Sequence, residues 1–107
     1  MKKPFLIPIS FQLHGQTIHI TWDKTLTALK DNRGEALPRL NEITLQQDSP
    51  SSPRPQSDVE QAFCHELVHF ILMHMESKLF NDEKFVNLFG NLLHQAFVSA
   101  EYNKEKK

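Results

Sequence analysis

The chain has 107 residues, a net charge of −1, 39% hydrophobic and 23% charged residues, and a single cysteine. This length and composition are typical of one globular domain. The near-zero charge excludes a nucleic-acid binder that depends on a strong basic field, and no apolar run approaches the ~20 residues that cross a bilayer. Cys64 has no second cysteine to pair with, which suits a reducing compartment. We therefore expect a cytoplasmic protein without nucleic-acid or membrane partners, and nothing in the sequence indicates its oligomeric state.

Two β-strands joined by a tight turn are predicted at the start of the chain. Residues 5–13 are largely apolar, but prolines interrupt them and no cleavage site follows, so they indicate a strand and not a signal peptide. His14-Gly15 is a two-residue connection of the kind found in β-hairpins. Residues 16–22 predict the second strand, because apolar and polar residues alternate there. The apolar face of this strand consists of Ile18, Ile20 and Trp22, which we expect in the core.

The β half of the domain extends to about residue 47. Residues 25–30 fit either a short strand or a helical turn, and residues 31–34 indicate a turn by composition. Residues 42–47 predict a third strand, which we expect at an edge of the sheet, where it aligns an extended peptide by main-chain pairing. The Pro- and Ser-rich residues 48–57 then predict an exposed loop.

Two helices are predicted after this loop, over about residues 58–76 and 82–102. Ser57 and Glu60 fit a capping box at the start of the first helix, and apolar residues around most of its circumference predict a central position. Asn81 or Asp82 caps the second helix. Two apolar stripes of the second helix suit packing against the first: Phe85, Phe89, Leu92 and Ala96, and beside them Val86, Leu93, Phe97 and Ala100. The expected fold is α+β, one domain over residues 1–107 in which a small antiparallel or mixed sheet packs on a helical hairpin.

The segment His65-Glu66-Leu67-Val68-His69 is an H-E-x-x-H motif on the first helix. Residues i and i+4 share one face of a helix, so both imidazoles can reach one Zn²⁺. Glu66 is rotated by ~100° from His65, so that its carboxylate stands beside the metal and can accept a proton from zinc-bound water. The motif predicts zinc-dependent hydrolysis of a peptide or protein substrate, with Glu66 as the catalytic base.

A catalytic zinc site needs a third protein ligand and an open fourth position. Glu83 is favoured as this ligand, because a helical hairpin brings the start of the second helix alongside the first. Asp82 and His94 are the alternatives, although His94 lies ~16 Å further along the second helix than Glu83.

Several other residues are weaker candidates for roles in the site. His74 points to another side of the first helix than the motif, and Glu76 lies ~10 Å beyond its last histidine along the axis. His94 or Tyr102 is the candidate to stabilise the oxyanion of the tetrahedral intermediate. Cys64 is most simply a small buried apolar residue.

Residues 41–97 resemble small zincin metallopeptidase-like proteins of phages and bacteria, in the gluzincin group that includes minigluzincins and ImmA/IrrE-type peptidases. The resemblance rests on the strand at Ile43–Leu45, on the H-E-x-x-H motif, and on the Glu-x-x-apolar start of the following helix. It implies a minimal metal-peptidase core with a zinc ion held by His65, His69 and Glu83.

Two positions separate the chain from another group of zincins. Metzincins continue the motif as H-E-x-x-H-x-x-G-x-x-H, whereas here Leu72 occupies the Gly position and Met75 the final His position. The metzincin pattern is therefore excluded. A catalytically silent, metal-stabilised binding or regulatory protein of phage or bacterial origin is the alternative to an active peptidase.

Overall fold

The computed structural model describes residues 7–23, 34–46 and 55–102 of the chain. Within these residues a four-stranded sheet packs against two C-terminal helices, which confirms the predicted α+β fold. The strands are β1 (Ser10–Leu13), β2 (Gln16–Asp23), β3 (Gly34–Leu37) and β4 (Glu42–Gln46), and the helices are α1 (Gln56–His74) and α2 (Glu83–Ser99). The ambiguous segment at 25–30 and most of the predicted loop, 48–54, lie outside the described residues. None of the described helices is long and apolar enough to cross a membrane.

The predicted hairpin at the start of the chain is confirmed. Strands β1 and β2 pair antiparallel, with Ser10 opposite His19. The two connecting residues, His14 and Gly15, both have positive φ, at 51° and 74°. This left-handed pair matches the right-handed twist of the strands it joins, and glycine adopts such a conformation without steric cost.

The sheet is mixed, with the strand order β1-β2-β4-β3. Strands β2 and β4 pair parallel, and β3 pairs antiparallel with β4 on its other side. The expectation that residues 42–47 form an edge strand is therefore wrong, because β4 is interior. Gly34, assigned to a turn from composition, is instead the first residue of β3, the last strand in the order of the described sheet. Strand order follows from long-range pairing, which local sequence patterns do not encode.

Helix α1 is the middle of three layers, as its apolar circumference predicts. One side faces the sheet, where Phe63 and Phe70 pack among Ile18, Ile43 and Leu45. The other side faces α2, where Val68 and Leu72 pack against Val86. The assignment of Trp22 to the core is wrong, because 48% of this residue is exposed. Alternation identifies the face of a strand but not how far the neighbouring helix covers it.

The start of α1 differs from the predicted capping box. The helix begins at Gln56, and no side chain caps it; the carbonyl of Pro55 accepts from the backbone N–H groups of Asp58 and Val59. Glu60 is buried and bonds to a residue of the other helix. At the start of α2 the prediction holds, because the Asp82 carboxylate accepts from the N–H of Phe85 at 3.0 Å.

Helix α2 contacts α1 through a narrower line of residues than its apolar stripes predict. Its buried residues are Val86, Gly90 and His94, spaced four apart. Phe89 and Leu92, which were expected against α1, are 46% and 57% exposed. The expected contact of Val86 and Leu93 with α1 is confirmed, because both pack in one cluster with Val68 and Leu72. The other stripe is rotated outward at Phe89 and Leu92, and the rest of the buried line is a small and a polar residue, Gly90 and His94.

Candidate metal centre

Three side chains that the sequence associates with zinc converge where α2 begins beside the middle of α1. The two carboxylate oxygens of Glu83 each face one imidazole: Oε1 lies 3.1 Å from Nε2 of His65, and Oε2 lies 3.2 Å from Nε2 of His69. One ligand atom from each of the three residues lies within 4.8 Å of the other two. The structure therefore brings together the three ligands named from the motif and the hairpin.

A backbone carbonyl fixes the orientation of His69. Nδ1 of His69 lies 2.9 Å from the carbonyl oxygen of Phe80. A carbonyl only accepts hydrogen bonds, so Nδ1 carries the proton and the Nε2 lone pair points toward Glu83. This is the arrangement typical of a histidine that binds a metal, whose second nitrogen donates to an outer partner. Sequence patterns do not reveal it, because the partner is a main-chain atom.

The donor set fits zinc. With Nδ1 of His69 protonated, its Nε2 and the Glu83 carboxylate are both acceptors, and they attract each other only through a cation or a proton between them. Metal–ligand bonds of ~2.0–2.2 Å at a tetrahedral angle separate two ligand atoms by ~3.3–3.5 Å, close to the 3.1 and 3.2 Å observed. Two imidazoles and one carboxylate are a ligand set found in catalytic zinc sites. The Glu83 side chain is 69% exposed, so the cluster is accessible to solvent.

The alternative ligands and the proposed oxyanion stabilisers lie elsewhere. Asp82 is occupied as the cap of α2. His94 is buried and its Nε2 lies 2.7 Å from Oε1 of Glu60. Tyr102 follows the opposite end of α2 from Glu83 and is 77% exposed. Because α2 has 17 residues, its two ends are ~25 Å apart, which removes Tyr102 from the cluster.

His74 takes part in a separate contact at the end of α1. Its Nδ1 lies 3.0 Å from Nδ1 of His14, in a surface cleft of about 480 Å³ that Glu76 also lines. Nε2 of His74 is buried and has no hydrogen-bond partner among the described residues. A buried N–H without an acceptor is costly, so Nδ1 of His74 carries the proton and donates to His14. This hydrogen bond links the β1–β2 turn to α1.

Glu66 lies between α1 and strand β3 and is only 8% exposed. The backbone N–H of Ala36 donates to its carboxylate. Gly34 permits this close approach, because a Cβ at that position would lie 3.2 Å from Leu45 Cδ2 and 3.3 Å from Glu66 Cγ. Burial, together with the negative charge of Glu83, raises the pKa of Glu66 from 4.5 to about 7, although the Ala36 hydrogen bond opposes the shift. A carboxylate with a pKa near neutrality suits general acid–base chemistry.

The raised pKa of Glu66 predicts that the stability of the metal-free protein depends on pH. The native state holds the Glu66 proton more tightly than the unfolded chain, so stability falls as pH rises from 4.5 to about 7. The full shift corresponds to about 3 kcal/mol. We expect metal-free Glu66→Gln to melt at a higher temperature than metal-free wild type at pH 8, and at the same temperature at pH 4. If the variant and the wild type differ in melting temperature by the same amount at pH 8 and at pH 4, the difference does not arise from the pKa of Glu66.

Cys64 precedes the motif but does not take part in the cluster. The residue is fully buried, as expected for a small apolar side chain. Burial, and to a smaller extent the negative charge of Glu60, raises the pKa of its thiol to about 12. The thiol therefore stays protonated at neutral pH, and it is neither an activated nucleophile nor a ready metal ligand.

Comparisons with known proteins found no matching family model, no matching curated protein and no matching solved structure. The resemblance to gluzincins therefore depends on the sequence alone, at the strand Ile43–Leu45, the H-E-x-x-H motif and the start of the following helix.

Proposed function

We propose that the protein is a zinc-dependent peptidase in which His65, His69 and Glu83 hold the metal. The observation that carries the proposal is the geometry of Glu83, whose two oxygens face the Nε2 atoms of both histidines at 3.1 and 3.2 Å. The Phe80 carbonyl supports it, because it keeps Nε2 of His69 free to bind a cation. Three protein ligands leave a fourth position open, as in catalytic zinc sites. We assign the reaction to the cytoplasm, since the one thiol of the chain needs no oxidising compartment.

Glu66 is the general base in this proposal. Bound zinc would lower the pKa of a water molecule and polarise the carbonyl of the scissile peptide bond. Glu66 follows His65 on α1, so its carboxylate lies beside the ligands instead of among them. It accepts the proton of the attacking water and returns a proton to the leaving amine. Its sheltered position beside β3 limits competition from bulk water for these transfers.

Strand β3 borders the proposed site through Glu66. The backbone N–H of Ala36 donates to the Glu66 carboxylate, so this strand lies next to the base. In this proposal the substrate therefore binds beside β3, close to the proposed metal centre. The main-chain alignment of a peptide that the sequence suggested for residues 42–47 is not available at β4, which pairs with β2 on one side and β3 on the other.

A metal-stabilised binding or regulatory protein is the second candidate, and one observation favours it. Glu66 already accepts a hydrogen bond from Ala36, so its carboxylate also fastens β3 to α1 as a structural link. An assay with a pool of short and unfolded peptides distinguishes the candidates. Cleavage that depends on zinc supports the peptidase, whereas a protein that holds zinc and cleaves nothing in the pool supports the binding protein.

Removal of the metal is expected to destabilise the protein. A ligand that binds only the native state at 1,000 times its Kd adds about 4 kcal/mol of stability, and for a domain of about 100 residues each 1 kcal/mol shifts Tm by roughly 4–8 °C. We therefore expect a chelator to lower the Tm by more than about 10 °C. The control is a variant with His65→Ala and His69→Ala, whose Tm should not respond to chelator. Coincident melts of wild type with and without chelator would contradict a bound metal.

A further inference from the structure

We propose that the buried Glu60–His94 pair and Gly90 position Glu83 for metal binding by fixing how α2 lies along α1. This inference deepens the proposed function and rests on the proposed metal site. It concerns three residues that supply no ligand atom to the cluster and do not belong to the H-E-x-x-H motif.

The contact line between the two helices has three points. Val86 packs against Val68 and Leu72 on the side of the connection between the helices. Gly90 lies against the backbone of His65, and His94 meets Glu60 at the far end. Glu83 lies one turn before Val86, so its position depends on how α2 is set along this line.

Gly90 determines the distance between the helices at a metal ligand. A Cβ on Gly90 would lie 3.1 Å from Cα and 3.2 Å from the backbone nitrogen of His65. These are main-chain atoms and cannot move aside like the end of a flexible side chain. Any larger residue at this position therefore pushes α2 away from His65, and with it the carboxylate of Glu83.

The Glu60–His94 pair determines the rotation and the axial position of α2. The two residues are 2% and 6% exposed, and Nε2 of His94 lies 2.7 Å from Oε1 of Glu60. Oε2 of Glu60 is buried and has no hydrogen-bond partner among the described residues, which makes the carboxylate costly at this place. Two apolar side chains would fill the space without this cost. They would not supply a short directional hydrogen bond, which allows α2 little sliding or rotation against α1.

The placement of α2 determines where the carboxylate of Glu83 lies. Glu83 is the first residue of α2, and its side chain is 69% exposed, so little packing holds it in place. Its two oxygens nevertheless face two different imidazoles at nearly equal distances. A rotation of α2 would move this side chain away from one histidine, since it projects from the helix surface. The constraint that keeps it centred lies ~16 Å along α2, at His94.

The test is a double-mutant cycle on zinc affinity. Zn²⁺ binding is measured by competition with a chromophoric chelator in four proteins: wild type, the apolar pair Glu60→Leu/His94→Leu, Glu83→Ala, and the combination of all three changes. We expect the apolar pair to weaken zinc binding by about 10–100-fold, the range for loss of outer-shell support. In the Glu83→Ala background the same two changes should have no further effect, because the group that they position is gone. Glu60→Gln, which keeps an oxygen acceptor for His94, should retain most of the affinity.

The outcomes separate the inference from the function on which it rests. If Glu83→Ala weakens binding and the apolar pair does not, the positioning role is wrong and the metal site stands. An equal loss with and without Glu83 also overturns positioning, since the pair then acts on the histidines or on the fold. If Glu83→Ala leaves affinity unchanged, the proposed site itself is wrong. Should the apolar pair fail to fold, Gly90→Ala enters the same cycle with the same expected pattern.

Discussion

Replacing Glu66 by Gln is expected to lower zinc-dependent peptide hydrolysis by at least ~10²-fold, the lower range for a positioned acid–base group. Gln has nearly the same shape and can still accept the Ala36 hydrogen bond, so the fold and the metal should be retained. It cannot accept the proton of the attacking water at neutral pH. The measurement is cleavage of a peptide pool by wild type and variant, both loaded with one equivalent of zinc.

Two controls make this result specific to Glu66. The zinc content of the variant should match that of the wild type, and its melting temperature should be no lower. Glu101→Gln, a change of the same kind at an exposed residue, should leave the rate unaffected. Equal rates for wild type and Glu66→Gln would exclude Glu66 as the base.

The second large effect is expected for Glu83→Ala on zinc affinity. Loss of outer-shell partners costs about 10–100-fold in metal affinity, so removal of a direct ligand should cost more than about 100-fold. Titration of wild type and variant with Zn²⁺ against a competing chelator measures the difference. Glu101→Ala is the control for loss of one negative charge and should bind zinc as the wild type does.

The other acidic candidate at the start of α2 has a different expected behaviour. Asp82→Asn should retain zinc affinity, because Asp82 acts as the cap of α2 and Asn serves equally well in that position. A loss of affinity in Asp82→Asn, with none in Glu83→Ala, would exchange the roles of the two residues.

The three residues of the candidate metal centre could be predicted from the sequence because their geometry is local. The spacing of His65 and His69 needs only a helix, and Glu83 needs only a short connection to a second one. Strand β3 was missed because Gly-Glu-Ala-Leu shows no alternation of apolar and polar residues. Its assignment depends on antiparallel pairing with β4, whose partner residues lie 5–11 positions further along the chain. The parallel pairing of β4 with β2 is of longer range, with partners 23 positions apart.

Polar and small residues in the contact between the helices were misassigned for a related reason. Ser57 and Glu60 match a local capping pattern, but a partner 34 positions away takes Glu60 into the interior. The apolar stripes of α2 suggested a broad contact with α1, whereas the backbones meet at Gly90. Hydrophobic periodicity identifies apolar faces, and it carries no information about where a glycine allows two helices to touch.

The parallel pairing of β2 and β4 also has a consequence for the order of folding. It joins residues 19 and 42 across an intervening segment, and such long-range pairings form slowly. His65 and Glu83 are only 18 positions apart, within a helical hairpin that depends on local contacts. We expect the hairpin, and a metal ion captured by it, to be in place before β3 docks beside Glu66. The full-length chain, as it folds, would then bind the proposed metal before it acquires the environment that raises the pKa of Glu66.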